Sequence, residues 1–432
     1  MKFANLLFLA APALAQEAFV LKNVTIHPVT APDIAGGSIS VSNGKIVEYG
    51  AKVATAKNVK VIDGKGLHVY PGMINCATTM GISEVTSVRE SNDTNEIGEF
   101  VPQVRALIAF NPDSEHVPVT RVNGITSVVT MPASLTEGRG AGGAPQSILR
   151  GQAAVVHMDG WNWEDMGINR NAGLLMRFPQ IVTARFSPFE GAIAGAIPFA
   201  DAKKVYDAEL KKVEGFFDAA RHYQTAKLAK ATDFKPNVQY EAMLPVLEGK
   251  APLLVPAERE RTIREAIAFA KKQNVKLILM DVQTPGKAID LIKENNIPVV
   301  VGKPTNLPLD EDDPYDAAYS LPGQLYKAGI KFAFGTYDNQ FARNLPFEAA
   351  FAVAYGLPYE AALKALTIDA AEIFGVSNVT GSLDKGKSAD FVVTDGDPLE
   401  VKTQVKMLFI NGKNVTLDTR QTRLYEKYNS RK

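Results

Sequence analysis

A chain of 432 residues, 46% hydrophobic and 22% charged, has the balance of a folded globular protein with room for more than one core. Its 47 basic residues are matched by 47 acidic ones, so the formal net charge is zero. That argues against a nucleic-acid binder, which would need a basic surplus, but not against a local charged patch.

The first residues read as a secretory signal. Lys2 gives a positive start, Phe3 to Ala11 is apolar except for Asn5, and Ala13-Leu14-Ala15 gives a small-x-small cleavage pattern. Residues 1–15 are therefore expected to be a signal peptide; the alternative is a buried N-terminal strand or helix. The apolar stretch is too short to span a bilayer. No Cys follows the cleavage site to carry a lipid, so the mature protein is expected to be exported without a membrane anchor, into the periplasm of a Gram-negative cell. The one cysteine, Cys76, lies in the apolar run Met73-Ile74-Asn75-Cys76 and reads as a buried structural thiol.

Short strands dominate Phe19 to Val69. Ser38–Val41 and Lys45–Val47 flank Asn43-Gly44, which supplies the positive φ angles of a two-residue hairpin turn. The middle alternates apolar runs with amphipathic helices. Ile125–Val129, Leu253–Val255, Leu277–Met280, Ile297–Val301 and Phe332–Phe334 read as buried strands, and Glu260 to Lys272 as a helix. Such alternation implies a parallel sheet, most economically closed into a barrel. An open doubly wound sheet is the competing solution, but no GxGxxG follows a strand. Asp201 to Gly249 is a helical insertion, either a cap near the barrel mouth or a plain surface pair. Asp390–Thr394 and Val405–Ile410, closed by Asn411-Gly412, return to short strands. The expected fold is α/β: a TIM-like (β/α) barrel over residues 71–375, plus a small β-sandwich built from both chain ends, residues 16–70 and 376–432.

Tyr70-Pro71-Gly72-Met73-Ile74-Asn75 resembles the passage from sandwich to first barrel strand in the amidohydrolase superfamily. Gly381 to Val393 resembles the return to the sandwich, Ala361 to Gly375 the helix before it, and Leu408 to Lys413 the closing strand. The nearest likeness is to the imidazolonepropionase-like branch. The resemblance implies a hydrolase of carbon–nitrogen bonds in non-peptide or cyclic amides. In that family the first strand ends in His-x-His, where two imidazoles grip one metal. The matched positions here are Ala77 and Thr79. The later histidine positions fall at Pro256 and near Asp281, and the strand-eight aspartate at Asp338, with Tyr337 as an extra residue before it. The five histidines, His27, His68, His116, His157 and His222, lie elsewhere. A histidine-ligated metal centre is therefore expected to be absent, and activity to be reduced or lost.

Asp338 is the candidate catalytic residue. Asp338, Asp281, Glu258 and Glu84 are acids expected near the mouth; oxygen donors of this kind suit Mg²⁺, Mn²⁺ or Ca²⁺ and would hold a divalent metal weakly, or they are solvated loop acids. Thr79, Glu84, His157, Arg343 and Asn344 are the candidate substrate-binding residues. His157 ends the run Ala153–Val156 and could reach the mouth, or be hydrogen-bonded structure. Arg343 could hold a substrate carboxylate or pair with Asp338. Glu137 to Pro145 reads as a glycine-rich lid or surface loop, and Trp161 and Trp163 as rings that stack on a ligand or anchor the loop. Three functions stay open: a hydrolase, a non-catalytic barrel binding a small molecule, and a structural subunit, self-associated or paired with an active homologue.

Overall fold

The computed structural model describes residues 18–54, 59–132, 147–187 and 192–431. The signal segment and the glycine-rich loop Glu137 to Pro145 lie outside the described residues. The chain opens with β1 (Phe19–Ile26), β2 (Ile34–Ser42), β3 (Lys45–Gly50), β4 (Lys60–Asp63) and β5 (His68–Pro71). Next come β6 (Met73–Thr78), β7 (Ile125–Thr130), β8 (Leu149–His157), β9 (Gly167–Met176) and a hairpin of β10 (Ala184–Ser187) and β11 (Ala192–Ala196). After a helical stretch follow β12 (Leu253–Pro256), β13 (Leu277–Val282), β14 (Val299–Val301) and β15 (Phe332–Phe334). The last strands are β16 (Phe391–Thr394), β17 (Val405–Ile410) and β18 (Lys413–Val415).

Both chain ends build one sheet, ordered β18-β17-β16-β5-β1-β2-β3, with β4 beside β1. The join is antiparallel, Phe391 opposite Pro71 and Val393 opposite Val69. The two Asn-Gly hairpins form as their sequences require, with φ of +51° and +74° at Asn43 and Gly44, and +49° and +74° at Asn411 and Gly412. The sheet curls until these turns meet: Ala389 N–H donates to the Gly44 carbonyl at 2.8 Å and Ile46 N–H to that of Lys387 at 3.0 Å. Phe409 stacks inside the curl on Phe19 and Phe391, with ring centroids 4.7 and 4.6 Å apart. Burial of such rings stabilises by roughly 1.5–3 kcal/mol each.

The second sheet runs β6-β7-β8-β9-β12-β13-β14-β15. The amides of Thr336 and Tyr337 both donate to the Ala77 carbonyl, at 3.1 and 2.7 Å, and so bring β15 back to β6. The result is a nearly closed eight-stranded barrel whose interior is filled by Ile74, Val129, Val155, Leu254, Met280 and Val300, among others. Cys76 is fully buried and burial pushes its thiol up, which fits an inert core residue.

The barrel is not uniformly parallel. β8 runs antiparallel to both β7 and β9, while the other neighbouring pairs are parallel. Only residues 158–166 join β8 to β9. A parallel crossover needs a dozen residues or more, so this link can only reverse the chain. The insertion forms two helices, Phe199–Leu228 and Val238–Leu247. No helix among the described residues is long and apolar enough to cross a membrane.

Candidate active site

One end of the barrel gathers the C-terminal ends of its parallel strands and the start of β8. There the β13–β14 pairing slips between Leu279 and Val282. A bulge of this kind bends a strand and re-aims a side chain. Asp281 sits within it at φ +52°, a left-handed conformation that aspartate tolerates better than most residues. Its amide donates to the Tyr337 hydroxyl at 2.6 Å, and that hydroxyl donates to the Val300 carbonyl at 3.0 Å. Tyr337 is itself buried, at φ +57°. Gln283 Nε2 donates to Asp281 Oδ1 at 3.2 Å. Gly302 leaves the carboxyl its room: a Cβ there would lie 2.7 Å from Asp281 Oδ1.

Asp281 is only 6% exposed. Burial first, and the negative charge of Glu258 second, push its carboxyl up to about 7, against the opposing effects of the Gln283 hydrogen bond and the Lys303 ammonium. Such a group exchanges a proton near neutral pH. Asp338 is differently placed. It pairs with Lys303 Nζ, its Oδ1 accepts the Phe341 amide at 2.7 Å, and its carbonyl accepts Thr78 Oγ1 at 2.6 Å. The carboxylate thus ties the β15 exit to the β14 exit and caps the following turn.

A cavity of about 1000 Å³ opens beside Asp281, a volume suited to a small organic molecule. Arg177, Glu258, Arg259 and Gln283 supply its polar wall, and Phe178, Val205 and Leu307 part of its apolar wall. Val205 belongs to the long helix of the insertion, and Glu209 on that helix pairs with Arg177 at 3.3 Å. The insertion therefore caps the mouth rather than standing apart from it.

The residues singled out in the sequence are dispersed. Thr79 is buried, its carbonyl accepting the Ile82 amide at 3.1 Å. Glu84 accepts from Asn111 Nδ2 at 3.4 Å, and its carbonyl lies 2.9 Å from His116 Nε2. Arg343 does not reach Asp338: its Nη1 donates to the Gln340 carbonyl at 2.6 Å, and the Asn344 amide donates to that of Phe341 at 2.8 Å. None of these four is among the described residues lining the cavity beside Asp281. His157 does not reach the mouth at all. Because β8 is reversed, His157 pairs with Ser127 near the start of β7, at the barrel floor, where its Nδ1 lies 3.7 Å from Asp390 Oδ2. Trp161 is 89% exposed, while Trp163 stacks beneath Arg170, 5.5 Å from its guanidinium. Asp281 and Glu258 were visible as acids after apolar runs. Arg177, Gln283 and Gly302 gave no comparable signal, apart from a glycine directly after a buried strand.

The mouth does not fit a histidine-ligated metal. His27 and His68 lie in or beside the terminal sheet, His116 on a short helix, His222 exposed on the insertion, and His157 at the floor. Among the described residues, no three or more His, Cys, Asp or Glu are grouped so as to hold a metal ion. Ala77 is fully buried, and a Cβ added at Gly335 would fall 2.6 Å from its own Cβ. An imidazole at position 77 has no room in this packing.

A model of the amidohydrolase family matches residues 257–415, which include β13, β15 and the return to the terminal sheet. The crystal structure of an amidohydrolase from Thermotoga maritima MSB8 is 25% identical, covers 92% of this chain and 99% of its own, and superposes with a TM-score of 0.78. A prolidase complexed with N-methylphosphonate-L-proline (17% identical, TM-score 0.55, 92% and 99% covered) shares the fold. So does A. niger ochratoxinase (16% identical, TM-score 0.53, 93% and 95% covered). The amidohydrolase tasK of Hapsidospora irregularis is 22% identical over 409 residues, 87% of this chain; the chain spans only 39% of that relative's length.

Proposed function

We propose that this chain is a member of the amidohydrolase superfamily and that it hydrolyses carbon–nitrogen bonds of non-peptide or cyclic amides at the mouth cavity, with Asp281 as the proton-transferring group. The observation that carries this is the placement of Asp281: buried in a strained bulge, on the wall of a cavity of about 1000 Å³, with its carboxyl pushed up to about 7. At neutral pH such a group is present in both forms. Ionised, it takes a proton from a water molecule as that water attacks the amide carbon. Protonated, it returns the proton to the departing nitrogen. Arg177 and Arg259 on the same wall offer donors for an oxyanion or for an acidic substituent. Asp338, held by Lys303, is assigned a supporting rather than a chemical role.

Members of this family usually work with divalent metals. Here Asp281 and Glu258 could at most recruit a weakly held ion through oxygen. The motif likeness to the imidazolonepropionase-like branch supports a small cyclic or linear amide as substrate. The N-terminal pattern supports export and work in the periplasm; mass spectrometry of the exported chain should find Gln16 first, and an intact Met1 would refute this.

The test is hydrolysis of a panel of N-acyl amino acids and cyclic amides by the wild type and by Asp281→Asn. A loss of about a hundredfold to ten-thousandfold in kcat with the fold intact is expected for removal of a general acid–base. Unchanged turnover in the variant would refute the role of Asp281. Stoichiometric ligand binding without turnover across the panel would leave the barrel a binding protein.

A further inference from the structure

The two positions that resemblance matches to metal ligands on the first and sixth barrel strands, Ala77 and Asp281, are joined by one residue. Tyr337 begins beside β6, its amide donating to the Ala77 carbonyl at 2.7 Å. Its hydroxyl ends at β13 and β14, accepting from the Asp281 amide at 2.6 Å and donating to the Val300 carbonyl at 3.0 Å. A residue tied to β6 at one end and to β13 and β14 at the other crosses the barrel interior just below the mouth. Its ring is packed in the interior cluster with Ala77, Met280 and Val300 and is 3% exposed.

The neighbours are sized for this crossing. Ala77 is fully buried, and Gly335 approaches so closely that a Cβ there would lie 2.6 Å from the Ala77 Cβ. A larger residue at 77 would need the space that Gly335 and the tyrosine occupy. Tyr337 is also the residue in excess of the family's Gly-Thr-Asp pattern, and it holds a φ of +57°, uncommon for a bulky side chain. A bulky residue in that conformation is a strained feature that its surroundings must enforce. The three hydrogen bonds and the ring packing supply the enforcement.

We propose that Tyr337 is a strut that occupies the throat of the barrel where a mouth metal would need to sit, and that its hydroxyl holds the Asp281 backbone in the bulge. The first half stands on packing alone. The second half rests on the reading of Asp281 as the working group, because it names what positions that group. In place of a cation that gathers side chains from several strands, this chain uses one tyrosine, whose amide holds the β6 backbone and whose neutral phenol holds those of β13 and β14.

Zinc titration of the full chain, followed calorimetrically, tests the seal. Neither the wild type nor Ala77→His/Thr79→His is expected to bind zinc stoichiometrically. Adding Tyr337→Gly to the double variant removes the ring, and glycine keeps the positive φ without strain. That triple variant is expected to bind zinc at least about tenfold more tightly than the double variant, two imidazoles then being free to converge. Stoichiometric zinc on the double variant, or a folded triple variant with no gain, would overturn the seal.

Tyr337→Phe keeps the ring and tests the positioning, whether or not the triple variant folds. Amide hydrogen exchange at Asp281 is expected to rise about tenfold while the amides of Leu279 and Val301 keep their rates, as for loss of one local bond. An unchanged Asp281 rate, or an equal rise along β13 and β14, would overturn the positioning role. Neither measurement uses turnover. The substrate assignment can therefore fail while the strut stands, and the reverse.

Discussion

His157 Nδ1 faces Asp390 Oδ2 at 3.7 Å across the seam where the barrel floor meets the terminal sheet, and both side chains are almost wholly buried. The other oxygen of Asp390 accepts from Ser388 Oγ at 2.9 Å and from the Asn411 amide at 2.8 Å. Asp390 therefore draws together a barrel strand, the approach to β16 and the β17–β18 turn. Asp390→Ala should cost about 1–3 kcal/mol, the range for leaving the buried Ser388 hydroxyl and the Asn411 amide without their acceptor. Denaturant unfolding would show this as a lower midpoint with an unchanged slope. A loss below about 1 kcal/mol would mean that the cluster contributes little to the seam.

Asp281 should make stability depend on pH. Its carboxyl, ordinarily 3.8, is raised to about 7 in the folded chain, so the native state keeps a proton that the unfolded state has released. Stability from this group is complete below about pH 4 and is lost as pH rises to about 7, in total on the order of 4 kcal/mol. Asp281→Asn removes the titration. Melting temperatures of the two proteins should be similar near pH 4, with the variant increasingly the more stable toward pH 8. Parallel curves for the two proteins would contradict the buried, proton-holding Asp281.

Gly302→Ala places a methyl group 2.7 Å from both Asp281 Oδ1 and Gln283 Cγ. Overpacking of this size usually costs about 1–3 kcal/mol. The sharper expectation is functional: turnover should fall more than tenfold, because the displaced carboxyl is the proton carrier. An Ala variant with wild-type turnover would show that the carboxyl does not need the space.

Gly412 sits at φ +74°, and a Cβ there would meet Gly44 Cα at 2.8 Å. Gly412→Ala therefore strains its own turn and pushes apart the two turns that close the terminal sheet. A loss of about 2 kcal/mol is expected from the combined effects. The same substitution at Gly329, with φ +74° but open space around it, should cost less. Equal losses at the two glycines would place the whole effect in the backbone and none in the contact.

Much of the terminal sheet was legible because its signals are local. Asn43-Gly44 and Asn411-Gly412 each fix a turn within two residues, and the strands beside them follow. The barrel was legible as a rhythm of apolar runs and helices. Strand direction was not: Ala153–Val156 is apolar on both faces whichever way it runs, so nothing in its composition placed His157 at the floor. The length of the link between His157 and Gly167 carried that information. At the mouth, the absence of histidine from positions 77, 79, 256 and 281 could be read directly from the sequence. The extra Tyr337 was visible as a mismatch, but its path across the barrel depends on a positive φ and on partners from β6, β13 and β14 far away in sequence. Arg177 and Glu209 meet across the cap for a similar reason, through tertiary packing with no local signature.

The pairing of β5 with β16 has a temporal side. Pro71 waits for Phe391, and the whole barrel lies between them in the chain. During synthesis the first strands are complete early, yet one edge of their sheet stays open until the last portion of the chain arrives. Contacts of such long range are slow to form. The curl around Phe19 and Phe409 can close only then, because it needs a ring from each end of the chain. A chain truncated just after β15 would keep every barrel strand and still leave an unpaired β5 edge open to other strands, a form prone to aggregation rather than to slow maturation.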